Sequence, residues 1–534
     1  MQSPIANSKL SQWIIAVGIL AVAASVRLFH IGSEPLWLDE GYSWWDAQQK
    51  LSDLWNLVPQ CDPHPPLYFL ALKGWMEEFG DSSQALRTLS ALFGVATAAV
   101  VMLTGRQLDK RIGWLAGIMF ALTPFQIDYG REARPYALLC FGASLLVYGA
   151  LRIARETKQG ANTSPIPPEK TKNNDRWGWI NMLIGSLIIL WTNNTAVFTV
   201  IAVLVAFAIV LLLDRNSRHL FKPLAIGSVL LLALWSPYFS VLSEQTRGVI
   251  DDFWIPNPSA WYVADELRML VSLNIHDAVW WVVAALFGGV LLMWRRGQWR
   301  EALLLGCLIT VPVVLNYLFS ITVRPIFLSR AMIGITPAVV IALAAALVYF
   351  ESRRLRYGAI AAVLIVHAFA LQTWREQDQG NEPWDAIARE LSPLKTPATV
   401  ANATAGKDEI VLLTANELAL PLEHAFEDLH VNVPVQGAPA NFPSPGMHAR
   451  YPSGKCAPSV LDQNLNAIAR TIAQYRVVYF VTRTNNVYDP NNRITKLLRS
   501  IGFKQTRQDL FSPGSLEVHK FVARPKTPRP TAHS

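Results

Sequence analysis

A chain of 534 residues that is 52% hydrophobic and only 16% charged, with 19 Trp, carries more apolar surface than one water-soluble core can bury, which excludes a soluble single-domain protein. Its net charge of +8 is spread over short segments between apolar runs. No polybasic tract stands out, which excludes a nucleic-acid-binding footprint.

Apolar runs long enough for a roughly 30 Å hydrocarbon layer begin at residues 11–30. They recur at 84–105, 111–126, 134–153, 177–192, 196–213, 224–242, 278–294, 301–321, 330–350 and 358–374. The expected fold is therefore an α-helical polytopic membrane protein with about eleven transmembrane helices. The first run has no small-residue cleavage site before Gly32 and is predicted to stay as an anchor.

With a cytoplasmic N-terminus, the inside segments carry Arg106/Lys110/Arg111, the Arg152 to Arg176 stretch, Arg215/Arg218/Lys222, Arg295/Arg296/Arg300 and Arg353/Arg354/Arg356. Each is basic, as the positive-inside rule requires. The opposite segments carry Asp39, Glu40, Asp46, Asp53, Asp62, Glu77, Glu78, Asp81, Asp251 and Asp252. This pattern divides the chain into a transmembrane part, 1–374, whose first exterior loop is 31–83, and an exterior soluble domain, 375–534.

That loop reads Leu36-Trp37-Leu38-Asp39-Glu40-Gly41-Tyr42-Ser43, then Asp62-Pro63-His64-Pro65-Pro66-Leu67-Tyr68. Trp37, Trp44 and Trp45 would anchor it among lipid head groups, where a carboxylate can meet a lipid from one side and a soluble acceptor from the other. The same two acids would also suit the start of a helix, and His64 among prolines would also suit a turn. Leu67, Leu70, Ala71, Gly74 and Trp75 share one helical face, predicting a helix lying flat on the membrane.

A second constellation is Pro124-Phe125-Gln126-Ile127-Asp128-Tyr129-Gly130-Arg131-Glu132-Ala133-Arg134-Pro135-Tyr136. Arginines on the side where they are disfavoured call for an anionic partner, and a guanidinium grips phosphate through two parallel hydrogen bonds. An internal pair with Glu132 or Asp128 is the alternative. Arg324 and Arg330 repeat the theme. Asn193, Asn194, Asp251, Asp252 and Trp254 could line the same pocket or be ordinary loop residues.

The stretch Lys158 to Asp175 and the tail from Arg524 are predicted to be disordered. Beyond Trp374, Trp384 to Leu391 and Glu417 to Phe426 read as helices and Glu409 to Leu413 and Arg476 to Thr482 as strands, giving a small α/β domain. Cys61 and Cys456 fall in exterior segments; two unpaired thiols are expected there, with a bridge the alternative that an oxidising compartment permits. Cys140 and Cys307 lie in apolar runs. No phosphate loop, dinucleotide fingerprint, zinc-type spacing or nucleophile elbow occurs, so no soluble nucleotide cofactor is expected.

Asp62-Pro-His-Pro-Pro-Leu-Tyr-Phe, Ala85-Leu-Arg87, Ser90-Ala-Leu-Phe-Gly94, Gly105-Arg106, Pro124-Phe125 and Arg131-Glu132-Ala133-Arg134-Pro135-Tyr136-Ala137-Leu138, with Leu38-Asp39-Glu40, resemble bacterial family 39-type glycosyltransferases. These belong to the GT-C superfamily, with protein O-mannosyltransferases and the aminoarabinose lipid A transferase as relatives. The match covers residues 30 to 150 closely.

The resemblance implies transfer of a sugar from a polyprenyl-phosphate carrier to an acceptor in the cell envelope, on the non-cytoplasmic face and with inversion. It implies catalytic roles for Asp39 and its neighbour Glu40. Arg131, Arg134 and Arg330 would hold carrier phosphate, and His64, Tyr68 and Glu132 would bind substrate. The lipid A transferase has an acidic and basic pair where this chain has His64-Pro65, so its acceptor is not carried over.

No metal or cofactor is expected to be required. A divalent ion on Asp39, Glu40, Asp62 or His64 would be an oxygen-rich site, but arginines can supply the charge instead. The implied partners are the lipid-linked sugar, the envelope acceptor and membrane lipid, with no nucleic acid. The implied place is a bacterial-type inner membrane crossed many times, with the C-terminal domain outside. A lipid-head-group flippase or transporter is the rival reading. It would tolerate Asp39→Asn, and the lack of internal repeats speaks against it.

Overall fold

The computed structural model describes residues 4–159, 169–248, 255–271, 278–376, 382–391, 409–445, 447, 456–484, 487–511 and 516–524. The chain forms two compact units. The first comprises Met1–Ile31, His64–Thr246 and Trp254–Asp378, and the second comprises Gly32–Pro63, Arg247–Phe253 and Gln379–Ser534. Most of the first loop thus groups with the C-terminal part of the chain, not with the helices on either side of it.

In the first unit, eight helices of the described residues are long and apolar enough to cross a membrane. They are Leu10–Leu28, Ser83–Leu108, Tyr136–Arg155, Asn194–Leu213, Arg215–Gln245, Trp299–Thr322, Arg330–Tyr349 and Arg353–Thr373. Side chains such as Leu212, 83% exposed, and Ile365, 68% exposed, point away from the protein. Outward apolar faces of this extent need lipid around them, and the chain is a multi-pass integral membrane protein.

Three of the eleven predicted runs are shorter here. Arg176–Leu190 and Val282–Arg295 are apolar helices below the length of the other eight. The 111–126 run breaks in two: helix Lys110–Leu122 ends at an extended Thr123, and Pro124 opens a new helix ending at Arg131. The residue before a proline is pushed out of the helical region, so the break is written at Thr123-Pro124.

Glu169–Leu190 is helical, so residues 169–175 of the stretch predicted to be disordered begin a helix; residues 160–168, and 525–534 of the tail, lie outside the described residues. This helix pairs with Tyr136–Gln159 at contact distance. A Cβ on Gly149 would lie 2.5 Å from the Gly178 carbonyl and one on Gly185 2.5 Å from that of Gly142. Where lipid removes the hydrophobic drive between helices, such small residues let backbones approach.

Helix Leu67–Phe79 buries Tyr68, Phe69 and Leu72 and leaves Leu70 outside. Trp75 donates from its indole to the Ala85 carbonyl at 2.8 Å.

The second unit is built on a five-stranded sheet in the order β2-β1-β3-β5-β4, with β1 Glu409–Thr414, β2 Val435–Gly437, β3 Val477–Arg483, β4 Phe503–Phe511 and β5 Leu516–Ala523. The first three strands are parallel, and β5 runs antiparallel to both β3 and β4. Alternate residues of β1 and β3 serve two apolar layers: Val411, Leu413, Val477 and Val481 on one side with Trp384 and Leu422, Ile410, Leu412, Val478 and Phe480 on the other with Ile468 and Leu498. Burial on both faces is what makes β1 and β3 near-continuous apolar runs.

Cys61 and Cys456 form a disulfide with Cα atoms 5.1 Å apart. The expectation of two unpaired thiols is therefore corrected: 395 residues separate the pair, and sequence spacing cannot convey a contact made only by the folded unit.

Candidate active site

The candidate residues fall into two groups, each inside one unit. In the first unit the break at Pro124 turns the chain so that Arg131 and Arg134 leave in different directions. Arg131 donates to four main-chain carbonyls at the end of helix α1 (Pro4–Leu28): Val26 at 3.5 Å, Arg27 at 3.2 Å, Phe29 at 2.6 Å and His30 at 3.3 Å. Helix C-termini carry unpaired carbonyls and negative partial charge, so a guanidinium there is a cap. Arg134 is buried, with Nη2 3.3 Å from His64 Nδ1.

His64 stands edge-on to the ring of Tyr136 at 5.8 Å. The Arg330 guanidinium lies 5.9 Å from the centre of the same ring, a cation–π distance, and Tyr129 meets Tyr136 edge-on at 4.9 Å. Two of the predicted residues, His64 and Arg330, thus meet at Tyr136, and a third, Arg134, joins them through His64. Burial, followed by the charge of Glu132, pushes the Tyr129 hydroxyl well above its ordinary range, so Tyr129 stays a neutral hydrogen-bonding group.

Tyr68 is fully buried. Its hydroxyl pairs with Ser90 Oγ at 2.9 Å, and Ser90 donates to the Arg134 carbonyl at 3.4 Å. The chain from Tyr68 through Ser90 fixes the backbone that carries Arg134. Ahead of Arg330, the Ser329 N–H donates to the carboxylate of Glu266. Glu266 was not singled out from sequence; its signal was an acid on the amphipathic Ala260–Leu270 helix.

Asn193 caps the turn at Thr195 with a 2.9 Å bond, and Asn194 bonds Gln245 at 3.1 Å, so both have local structural work. Asp251, Asp252 and Trp254 lie outside the described residues.

In the second unit, Asp39 and Glu40 occupy the first turn of helix α2 (Leu38–Gln48) and separate in role. Glu40 is fully buried, and its Oε2 reaches back to the Trp37 N–H at 3.4 Å, the reciprocal half of a capping box. Asp39 is half-buried.

Anchoring of this segment by interfacial tryptophans does not hold for Trp44. It is buried edge-on against His424 at 5.3 Å, and Trp45 meets Phe442 at 4.9 Å. A folded partner in the same unit takes the rings that the sequence reading offered to lipid. Among the described residues, no group of three or more His, Cys, Asp or Glu is placed to hold a metal ion.

Residues 63–162 match the family profile described as dolichyl-phosphate-mannose-protein mannosyltransferase. The fold is similar to two crystal structures of ArnT from Cupriavidus metallidurans. One, bound to undecaprenyl phosphate, superposes with a TM-score of 0.61 at 13% identity, covering 95% of this chain and 98% of that chain. The other, in the apo state, gives 0.62 at 14%, covering 97% and 100%. No curated protein matches the chain in sequence.

The class that the fold and the matched segment resemble is the GT-C membrane glycosyltransferases. The likeness to the protein-mannosyltransferase profile spans residues 63–162, and the overall architecture is similar to that of ArnT.

Proposed function

We propose that the protein transfers a sugar from a polyprenyl-phosphate carrier to a hydroxyl-bearing acceptor of the cell envelope, with inversion, on the non-cytoplasmic face. The observation that carries this is the meeting of His64 and Arg330 at Tyr136, with Arg134 against His64; His64, Arg134 and Tyr136 lie within the segment that matches a profile of lipid-phosphate-sugar users. Undecaprenyl phosphate in the ArnT structure supports the carrier class.

In the reaction the acceptor oxygen attacks the anomeric carbon. Asp39 takes the hydroxyl proton, the bond from anomeric carbon to phosphate oxygen breaks, and polyprenyl phosphate leaves with the electron pair. Arg134 and Arg330 stabilise the charge growing on that phosphate. A positioned base is typically worth about 10²–10⁴-fold, and that role is assigned to Asp39, half-buried in the first turn of α2. The arginines supply the positive charge, so turnover needs no divalent cation.

The basic segments argue for a cytoplasmic N-terminus in a bacterial-type inner membrane. With the two shorter apolar helices and the Lys110–Leu122 helix crossing as well, the count is about eleven and the C-terminal domain lies outside.

The test is transfer from a panel of radiolabelled polyprenyl-phosphate sugars to crude envelope by the purified protein in lipid, with EDTA present and absent. Wild-type transfer that Asp39→Asn lowers at least about a hundredfold and EDTA leaves unchanged is expected. Carrier binding without turnover across the panel would instead favour a flippase or transporter.

A further inference from the structure

Two carboxylates from beyond residue 380 converge on helix α2, one on each side of Asp39. Glu382 is buried. Its Oε2 accepts the Leu38 N–H at 3.2 Å and the Trp384 indole N–H at 2.8 Å, while Oε1 accepts from the Arg483 guanidinium. Glu417 is buried too; Oε2 accepts the Tyr42 hydroxyl at 2.5 Å and Oε1 the Tyr488 hydroxyl at 3.1 Å. Leu38 immediately precedes Asp39, and Tyr42 follows it by three residues, a spacing that shares a helix face.

The first N–H groups of a helix have no acceptor of their own, and side chains such as Ser or Asp usually supply one. Here Trp37 stands at that position without a side-chain bond. The acceptor for Leu38 comes from a residue 344 positions away, and its negative charge is favoured at a helix N-terminus.

Glu417 and Arg483, the partner of Glu382, also lie at one end of the sheet. Arg483 ends β3, and Glu417 lies in the turn Asn416–Leu418 just past β1. These strands are adjacent and parallel, with Thr414 opposite Thr482. The carboxyl edge of parallel strands is where open α/β sheets place ligands; in this unit α2 occupies it. The fit is close, since a Cβ on Gly41 would stand 3.0 Å from the Pro421 nitrogen.

We infer that Glu382 and Glu417 are positioning residues for Asp39, fixing the helix turn that carries it, so that the soluble domain sets the placement of the base. This rests on the reading of Asp39 as that base. A base displaced by about 1 Å can lose on the order of 10²-fold in rate. The carrier phosphate is assigned to arginines of the other unit, so loss of positioning falls on turnover and not on carrier affinity.

The experiment uses the full chain in lipid nanodiscs and reads three quantities: hydrogen exchange of residues 38–48, affinity for undecaprenyl phosphate, and kcat and KM with the donor found by the panel. For Glu382→Ala, exchange in α2 at least about tenfold faster and kcat lower by on the order of 10²-fold are expected, with carrier affinity and KM unchanged. Glu382→Gln keeps an acceptor for Leu38 and recovers most of both.

Should Glu382→Ala fail to fold, Tyr42→Phe removes one of the two hydrogen bonds to Glu417 and leaves that from Tyr488, and a smaller shift of the same two readouts is expected. Unchanged exchange overturns the inference, as does faster exchange with unchanged kcat or an effect confined to KM. Asp39→Asn is run beside these variants. If it turns over like wild type, the base reading fails; if it is silent while Glu382→Ala keeps wild-type kcat, only the positioning inference fails.

Discussion

Arg131 donates to the Phe29 carbonyl at 2.6 Å, closing the end of α1, whereas Arg134, three residues on, lies with Nη2 3.3 Å from His64 Nδ1. Two arginines of one motif therefore predict different failures. Arg131→Ala removes a charged cap and is expected to cost about 1–2 kcal/mol of stability, with undecaprenyl phosphate affinity within about twofold of wild type. Arg134→Ala is expected to weaken that affinity at least about tenfold. Melting temperature and carrier binding measured on the same nanodisc samples separate the two, and equal loss of affinity in both variants would contradict the division.

Arg27 lies in the first span with no exposed surface, and its hydrogen bonds end on the carbonyls of Ala23, Ala121 and Gln126. The last two flank the break at Thr123-Pro124, where carbonyls lose their helical partners. Room for the side chain comes from glycines: a Cβ on Gly94 would be 2.7 Å from Arg27 Nε and one on Gly130 3.0 Å. Arg27→Met should destabilise by roughly 2–4 kcal/mol through the stranded carbonyls. Gly94→Ala should destabilise the wild type but add little to Arg27→Met, because the clash is with the deleted guanidinium. Additive losses in thermal melts of the two single variants and the double would refute the shared cause.

The spans were legible because apolar length alone identifies them, and so were β1 and β3, whose Ile410 to Leu413 and Val477 to Val481 are buried on both faces. β4 was not. Its Lys504 to Gln508 lie along the edge of the sheet, mostly exposed, and carry no apolar run, because an edge strand need bury only part of itself. Asp39 and Glu40 were visible as a pair but not as a helix-capping acid beside a half-buried one. That difference depends on which way each side chain leaves the first turn. Glu382 and Glu417 gave no signal, since a buried carboxylate serving a helix more than 340 residues away leaves no local pattern.

The Cys61–Cys456 bond links segments 395 residues apart and ties the stretch after α2 to the C-terminal part of its own unit. Digestion without reductant should yield one cross-linked peptide containing both cysteines. Cys456→Ser is expected to cost roughly 2–5 kcal/mol, and Cys61→Ser/Cys456→Ser should cost about as much as either single change, because all three lose the same bond. Single variants that melt like wild type would show that the bond does not form in the purified protein.

Glu417 offers a test that needs no substrate. Burial pushes its carboxyl above the ordinary value of 4.5. The bonds from Tyr42 and Tyr488 and the charge of Arg483 pull it back, and Asp39 adds to the rise. The Tyr42 hydroxyl is itself raised, first by burial and then by Glu417, and does not ionise in the range of the test. An acid whose folded pKa lies above its unfolded one binds its proton more tightly when folded. Its contribution to stability is fully present below the unfolded value and is lost as pH rises through the folded value. Gln at this position has no proton to lose, so the melting temperature of Glu417→Gln relative to wild type should climb as pH rises from 4.5, whatever fixed offset the lost hydrogen bond imposes. Thermal melts of both proteins in one buffer series check this, and a difference that stays flat or falls with pH would mean that Glu417 enters the folded state already ionised.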